Sequence, residues 1–188
     1  MSKPPRLRAD AARNRNRLIE AARQRLTAEG EITSLDTLAK AAGVGTGTLY
    51  RHFPTRGALV EAVYESELDG LDAAAESLCS AHPALDALRI WMDRYVGFVV
   101  TKRAMRDALQ TALTSRHMKP PSTRARVEAT IARFLLTAAG DGTIRTDIEA
   151  GDIALALAAL VLAVVTSGDE DQSRRLLNLL VDGLRPRE

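Results

Sequence analysis

The chain has 188 residues, of which 46% are hydrophobic, 27% charged and only 4% aromatic. That is enough for one ordinary domain, or for a small module joined to a larger one; it argues against disorder beyond the ends and favours helices over sheet. The net charge of +2 divides unevenly, with eleven Lys/Arg against five Asp/Glu in residues 1–56 (+6) and fifteen against nineteen in the remainder (−4), so a basic phosphate-binding end on a mildly acidic body is the expectation, a merely solvated basic tail being the alternative.

Residues 1–9 carry Pro4, Pro5 and the bases Lys3, Arg6 and Arg8, which reads as a flexible basic arm rather than the start of a packed helix. The first helix follows, with Leu18, Ile19, Ala22 and Leu26 on its apolar face, and Gly30 ends it. At Thr33-Ser34-Leu35-Asp36 a hydroxyl can cap a second helix whose N-terminal charge Asp36 complements. Leu35, Leu38, Ala39 and Ala42 make that helix short and amphipathic, and Gly43 stops it. After Gly43-Val44-Gly45 a third helix begins at Thr46 or Thr48, turns Leu49 and Phe53 inward, and closes at Pro54. A long fourth helix opens at Arg56, its apolar positions running from Val60 through Tyr64, Leu68, Leu71 and Ala75 to Leu78, for five to six turns.

Beyond His82-Pro83 five more helices are predicted, over 84–101, 103–115, 121–139, 149–166 and 172–184, with breaks at Pro120-Pro121, Gly140-Asp141-Gly142 and Gly168-Asp169-Glu170-Asp171. No strand pattern and no internal repeat interrupts them, so the fold class is all-α with about nine helices. The long uncharged stretch Ile153–Gly168 has 16 residues, short of the roughly 20 needed to cross a bilayer, and reads as a buried helix. With the lone Cys79 and no apolar secretory segment at the start, the expected location is the cytoplasm, without a membrane partner.

Two short helices joined by a glycine-bearing turn and preceded by a bracing helix describe a helix-turn-helix, the device that lays a recognition helix in the major groove of duplex DNA. Leu38 and Ala42 brace Val44, Leu49 and Phe53, leaving Thr46, Thr48, Tyr50, Arg51 and His52 on the outer face. The small residues Gly45, Thr46, Gly47 and Thr48 let the backbone approach DNA, with amides and hydroxyls available to phosphates or base edges. Tyr50 and His52 can reach phosphate oxygens, and Arg51 either a phosphate or a guanine. Packing is the alternative role for Tyr50 and for His52. In the arm, Arg6 and Arg8 are placed to enter the minor groove or hold phosphates, against the alternative of a solvated tail.

The segment from Ser34 to Leu59, most specifically Ala42-Gly43-Val44, Gly47-Thr48-Leu49-Tyr50 and His52-Phe53, resembles the tetracycline-repressor (TetR) family. The resemblance covers residues 14–64 in motif terms and the whole chain in helix count. It implies that Tyr50, and the basic residue opening the fourth helix, contact DNA phosphates. Arg56 fills that second position where lysine is more usual, and a guanidinium keeps the phosphate role. Gly45 stands where many members have serine, which removes a hydroxyl cap, and Gly57 replaces a common acidic residue, weakening the fourth helix by up to about 1 kcal/mol relative to alanine. The expected organisation is an arm over 1–9, a DNA-binding domain over 10–56 and a ligand-binding and dimerisation domain over 57–188.

In that body Trp91, Tyr95 and Phe98 form an inward aromatic stripe, the alternative to a ligand site being plain core. The resemblance implies a cavity for a small-molecule effector, for which Met105, Leu109, Leu113 and Met118 would complete an apolar lining and Arg94, Gln110 or His117 supply a polar anchor. The helix over 149–166 (Ile153, Leu157, Leu160, Val161, Val164) is apolar nearly all round, and the helix over 172–184 adds Leu176, Leu177, Leu180 and Leu184. These, the eighth and ninth of the predicted helices, are expected to form a four-helix homodimer interface, the alternative being monomer core. Twofold symmetry would set two recognition helices about 34 Å apart on a palindromic operator in double-stranded DNA. His52, His82, His117 and Cys79 are scattered without ligand-like spacing, so no metal, cofactor or catalytic site is expected. The expected function is a ligand-responsive repressor; the alternatives are a DNA-binding protein that senses no ligand and, behind it, a helical enzyme.

Overall fold

The computed structural model describes residues 5–30, 32, 34–104, 123–167 and 169–186. Among them are eight helices and no strand: α1 (Pro5–Glu29), α2 (Leu35–Ala41), α3 (Thr46–His52), α4 (Arg56–Ala81), α5 (Ala84–Ala104), α6 (Thr123–Asp141), α7 (Ala150–Ser167) and α8 (Glu170–Asp182). The helix expected over 103–115, and with it Met105, Leu109, Gln110 and Leu113, lies outside the described residues apart from 103 and 104, which continue α5 past its expected end at 101; His117 and Met118 lie outside them too. No described helix is long and apolar enough to cross a membrane.

Two boundaries depart from expectation. α1 begins at Pro5, inside the stretch read as an arm. Proline suits a first helical position, because its fixed φ is helical and its missing N–H would have had no intrahelical acceptor there. α4 has 26 residues, roughly seven turns rather than five or six. Gly57 and Gly70 lie within it without ending it.

The described residues form two compact units, one holding α1–α3 and the first part of α4 up to Glu67, the other starting at Leu68 and holding the rest of α4, α5 to Val100, and α6–α8. In the first, α1 packs on α2 and α3 and these on each other, around the buried side chains of Leu18, Ala22, Leu26, Ile32, Leu38, Leu49, Phe53, Leu59 and Tyr64. The expected apolar face of α1 is thus the one it buries.

In the second unit the core is built on aromatic contacts. Trp91 stacks on Tyr95, with ring centroids 5.7 Å apart and planes 16° apart, and meets Phe134 of α6 at 6.0 Å; Tyr95 meets Phe98 at 6.1 Å. The Trp91 indole donates to the Leu71 carbonyl at 3.1 Å, so the ring fastens α5 to the second half of α4 while its polar edge stays satisfied. α6 packs on α7 and α7 on α8. Asp141, at the end of α6, accepts a hydrogen bond from the Ala84 amide at 3.2 Å and so caps the start of α5 from 57 residues away. Arg126 of α6 donates to Asp72 at 3.0 Å and to Asp69 at 2.9 Å, both on α4, while the Thr130 hydroxyl donates to Asp72 at 3.0 Å.

The leucines named for a dimer interface need a correction. Ile153, Leu157, Leu160 and Val161 of α7, and Leu177 and Leu184 at α8, are buried within this chain; Leu176 and Leu180 are half-buried. What α7 and α8 leave exposed is a different set: Leu155 (58%), Leu162 (66%) and Leu179 (69%). An all-round apolar helix carries no phase in its sequence, so only packing decides which side is covered.

Candidate DNA-binding interface

The geometry begins with two caps. Ser34 accepts the Thr37 amide at 3.3 Å and starts α2. At the other end Gly43, with φ +64°, donates to the Lys40 carbonyl at 3.0 Å, and Val44 donates to the Ala39 carbonyl at 2.9 Å. That paired closure is a Schellman motif, whose left-handed residue favours glycine. It swings the chain so that Val44 returns to the core at 7% exposure.

α3 then opens on Gly45, which offers no side-chain cap; its carbonyl accepts the amides of Thr48 (2.9 Å) and Leu49 (3.1 Å). The helix is anchored by Leu49 (0% exposed) and by Phe53 (2% exposed), which ends it. Around these anchors Thr46, Gly47, Tyr50 and Arg51 are exposed, and Thr48 and His52 half-buried. Tyr50, at 46% exposure, is therefore not a core tyrosine. His52 lies beside Phe53, ring centroids 6.1 Å apart. Arg56 is exposed in the first turn of α4, and that turn is capped by Thr55, whose hydroxyl accepts the Ala58 amide at 3.1 Å. The Thr55 cap went unremarked in the sequence, although a threonine directly before the first helical residue is a recognisable signal. Arg6 and Arg8 belong to the first turn of α1 by backbone, so they sit on a helix and not on an extended arm.

The glycines of α3 carry information through what surrounds them. A Cβ added at Gly45 or Gly47 would meet nothing within 4 Å. Gly47 lies in the first turn of α3, where glycine is unfavourable by up to about 1 kcal/mol relative to alanine, and none of the described residues requires it. α3 also carries no acidic residue. An exposed helix face of small residues, amides, hydroxyls and a guanidinium, with no negative charge, can receive an anionic, closely approaching surface.

In the second unit the expected ligand residues Trp91, Tyr95 and Phe98 are brought together and buried, at 1%, 9% and 4% exposure; Arg94 is exposed. A separate apolar groove of about 430 Å³ runs along α6 to the start of α7, past Leu135, Leu136, Ala139 and Ile148, with Arg145 and Glu149 on its walls. None of the expected ligand residues lines it. The described residues contain no His/Cys/Asp/Glu group placed to hold a metal.

Comparison with known proteins agrees with this arrangement. Residues 18–63 match the family of bacterial regulatory proteins, tetR family, and residues 83–186 match the C-terminal domain of SbtR-like transcriptional regulators. A TetR transcriptional regulator from Streptomyces coelicolor is 36% identical with a TM-score of 0.82, covering 93% of this chain and 99% of its own. A TetR transcription regulatory protein from Mycobacterium vanbaalenii is 35% identical with a TM-score of 0.68, covering 96% and 99%. An HTH-type transcriptional regulator of Staphylococcus aureus (strain USA300) is 29% identical over 106 residues, 55% of this chain; the match spans 57% of that relative's length. The helix-turn-helix, the all-helical body and these matches over both parts place the chain in the tetR family of bacterial transcriptional regulators.

Proposed function

We propose that the chain is a repressor that binds a palindromic operator as a homodimer and releases it when a small-molecule effector binds the body. The observation that carries the DNA-binding part is the outer face of α3, where Gly47 is unneeded by the protein's own packing while Leu49 and Phe53 hold the helix rigidly from behind. Thr46, Gly47, Thr48 and Arg51 would meet base edges or phosphates in the major groove; Tyr50, His52 and Arg56 would hold phosphates on either side, with Arg6 and Arg8 adding charge. Arg56 also engages a group within the protein, so its phosphate contact would be made by the donors that remain. The division of labour is DNA reading up to Arg56 and control over 57–188.

Dimerisation would use α7 and α8, through the exposed stripe of Leu155, Leu162 and Leu179 in place of the buried leucines expected from sequence. The effector would lie against the Trp91, Tyr95 and Phe98 wall of the second unit; Met105, Leu109 and Met118, expected from the sequence as further lining, lie outside the described residues. Because α4 is one unbroken helix from Arg56 to Ala81, an effector that prefers a displaced α4 would disfavour the operator-binding state. One observation favours a regulator without a ligand: the aromatic wall is closed on itself, Trp91 being satisfied by Leu71 and flanked by Tyr95 and Phe134.

The decisive experiment titrates the protein against the DNA upstream of its own gene, with salt varied and an unrelated duplex as control. Saturable binding by a dimer that weakens steeply with salt is expected, together with a loss of about 1–3 kcal/mol for Arg51→Ala on the specific duplex. Equal affinity for both duplexes would remove the self-regulating operator, and absence of binding to any DNA would remove the central reading.

A further inference from the structure

α1 carries seven arginines, and three of them have a carboxylate beside them. Arg13 pairs with Asp10, Arg23 with Glu20 at 2.7 Å and Glu67 at 3.6 Å, and Arg25 with Glu29 at 2.9 Å. Arg15 differs. Among the described residues it has no carboxylate partner, and its guanidinium carbon lies 5.6 Å from the centroid of the Phe53 ring. Phe53 is the residue that ends the recognition helix, directly after Arg51 and His52.

Arg15 also occupies an unusual place in the pattern of α1. It stands three and four residues before Leu18 and Ile19 and seven before Ala22, so the core-facing stripe continues into it. A stripe residue at the edge of a core is ordinarily apolar, and here it is an exposed cation laid on an aromatic face. The guanidinium stays exposed beside the ring, and its planar fork of N–H donors suits a bidentate oxyanion.

We propose that Arg15 is a further DNA-backbone residue: Phe53 holds its guanidinium at the end of α3, where it grips a phosphate diester of the duplex that α3 enters. This rests on the DNA-binding reading above and extends it to α1. The contact is to backbone, so it contributes affinity without sequence preference.

The test uses full-length protein, an operator duplex selected with the wild type and an unrelated duplex, between about 50 and 200 mM salt. Arg15→Gln should weaken binding to both duplexes by the same factor and lower the slope of log affinity against log salt by about 1 for each protomer. Arg15→Leu keeps an apolar contact with Phe53 and should show the same slope change at a wild-type thermal midpoint, which separates charge from packing if the glutamine variant folds poorly. Arg15→Lys, retaining charge without the planar fork, should keep the wild-type slope. A folded Arg15→Leu protein with wild-type affinity and slope would overturn the inference and leave Arg15 as a packing residue. A wild type that binds no duplex would instead overturn the function proposed above, and this contact with it.

Discussion

The outer face of α3 and the interior of the second unit treat polar groups in opposite ways. Around the second part of α4, α5 and α6 several strong donors are engaged within the protein: Arg126 by Asp69 and Asp72, Thr130 by Asp72, the Trp91 indole by Leu71, and the Ala84 amide by Asp141. On α3, Thr46, Gly47, Tyr50 and Arg51 face outward without acidic neighbours on their own helix. The first arrangement makes a stable body, because buried polar groups are costly unless paired. The second leaves hydrogen-bonding capacity for something outside, and its stability comes from the two anchors Leu49 and Phe53. Anchoring and outward hydrogen-bonding capacity thus fall to different residues of α3 and its C-cap.

Substitutions can break that separation from either side. Trp91→Ala should have the largest effect, destabilising the fold by about 3–5 kcal/mol through the cavity and the lost aromatic contacts. Calorimetry would register it, and DNA affinity of the protein that remains folded should stay close to wild type. Gly47→Ala should act in the reverse direction. It would stabilise α3 by up to about 1 kcal/mol while lowering operator affinity, because the added methyl faces outward where none of the described residues meets it; a variant that gains stability and binds DNA as well as wild type would refute the close-approach role.

The smallest effect belongs to pH. Hydrogen bonds from the Thr143 hydroxyl and amide, and from the Ala84 amide, hold the Asp141 carboxyl below its ordinary value. The stabilisation it supplies is therefore complete above the usual aspartate range and is lost as pH falls through that range to the lowered folded-state value. Thermal midpoints of wild type and Asp141→Ala should differ at neutral pH and converge in acid. A difference that persisted unchanged at low pH would mean the carboxylate is not what caps α5.

Much of this protein was legible one turn at a time. Caps at Ser34 and Gly43, the period of Leu18, Ile19, Ala22 and Leu26, and the inward pair Leu49 and Phe53 are short-range signals, and each element they mark is present. Local pattern misled at Pro4-Pro5, where two prolines suggested an arm although one of them is compatible with a helix start. It was silent on the exposed leucines of α7, because a helix of Ala, Leu and Val on every side has no preferred face until its neighbours α6 and α8 cover one.

The sequence by itself determined the described helices, the turn between α2 and α3, and which residues of α3 point inward, since backbone hydrogen bonds and 3.6-residue periodicity act within a few residues. Only the tertiary structure decided that Asp141 caps α5, that Arg126 joins α6 to α4, that Arg15 rests on Phe53, and that Leu155, Leu162 and Leu179 remain uncovered. Each of those outcomes depends on which residue arrives from a distant part of the chain, and spacing along the chain does not encode that arrival.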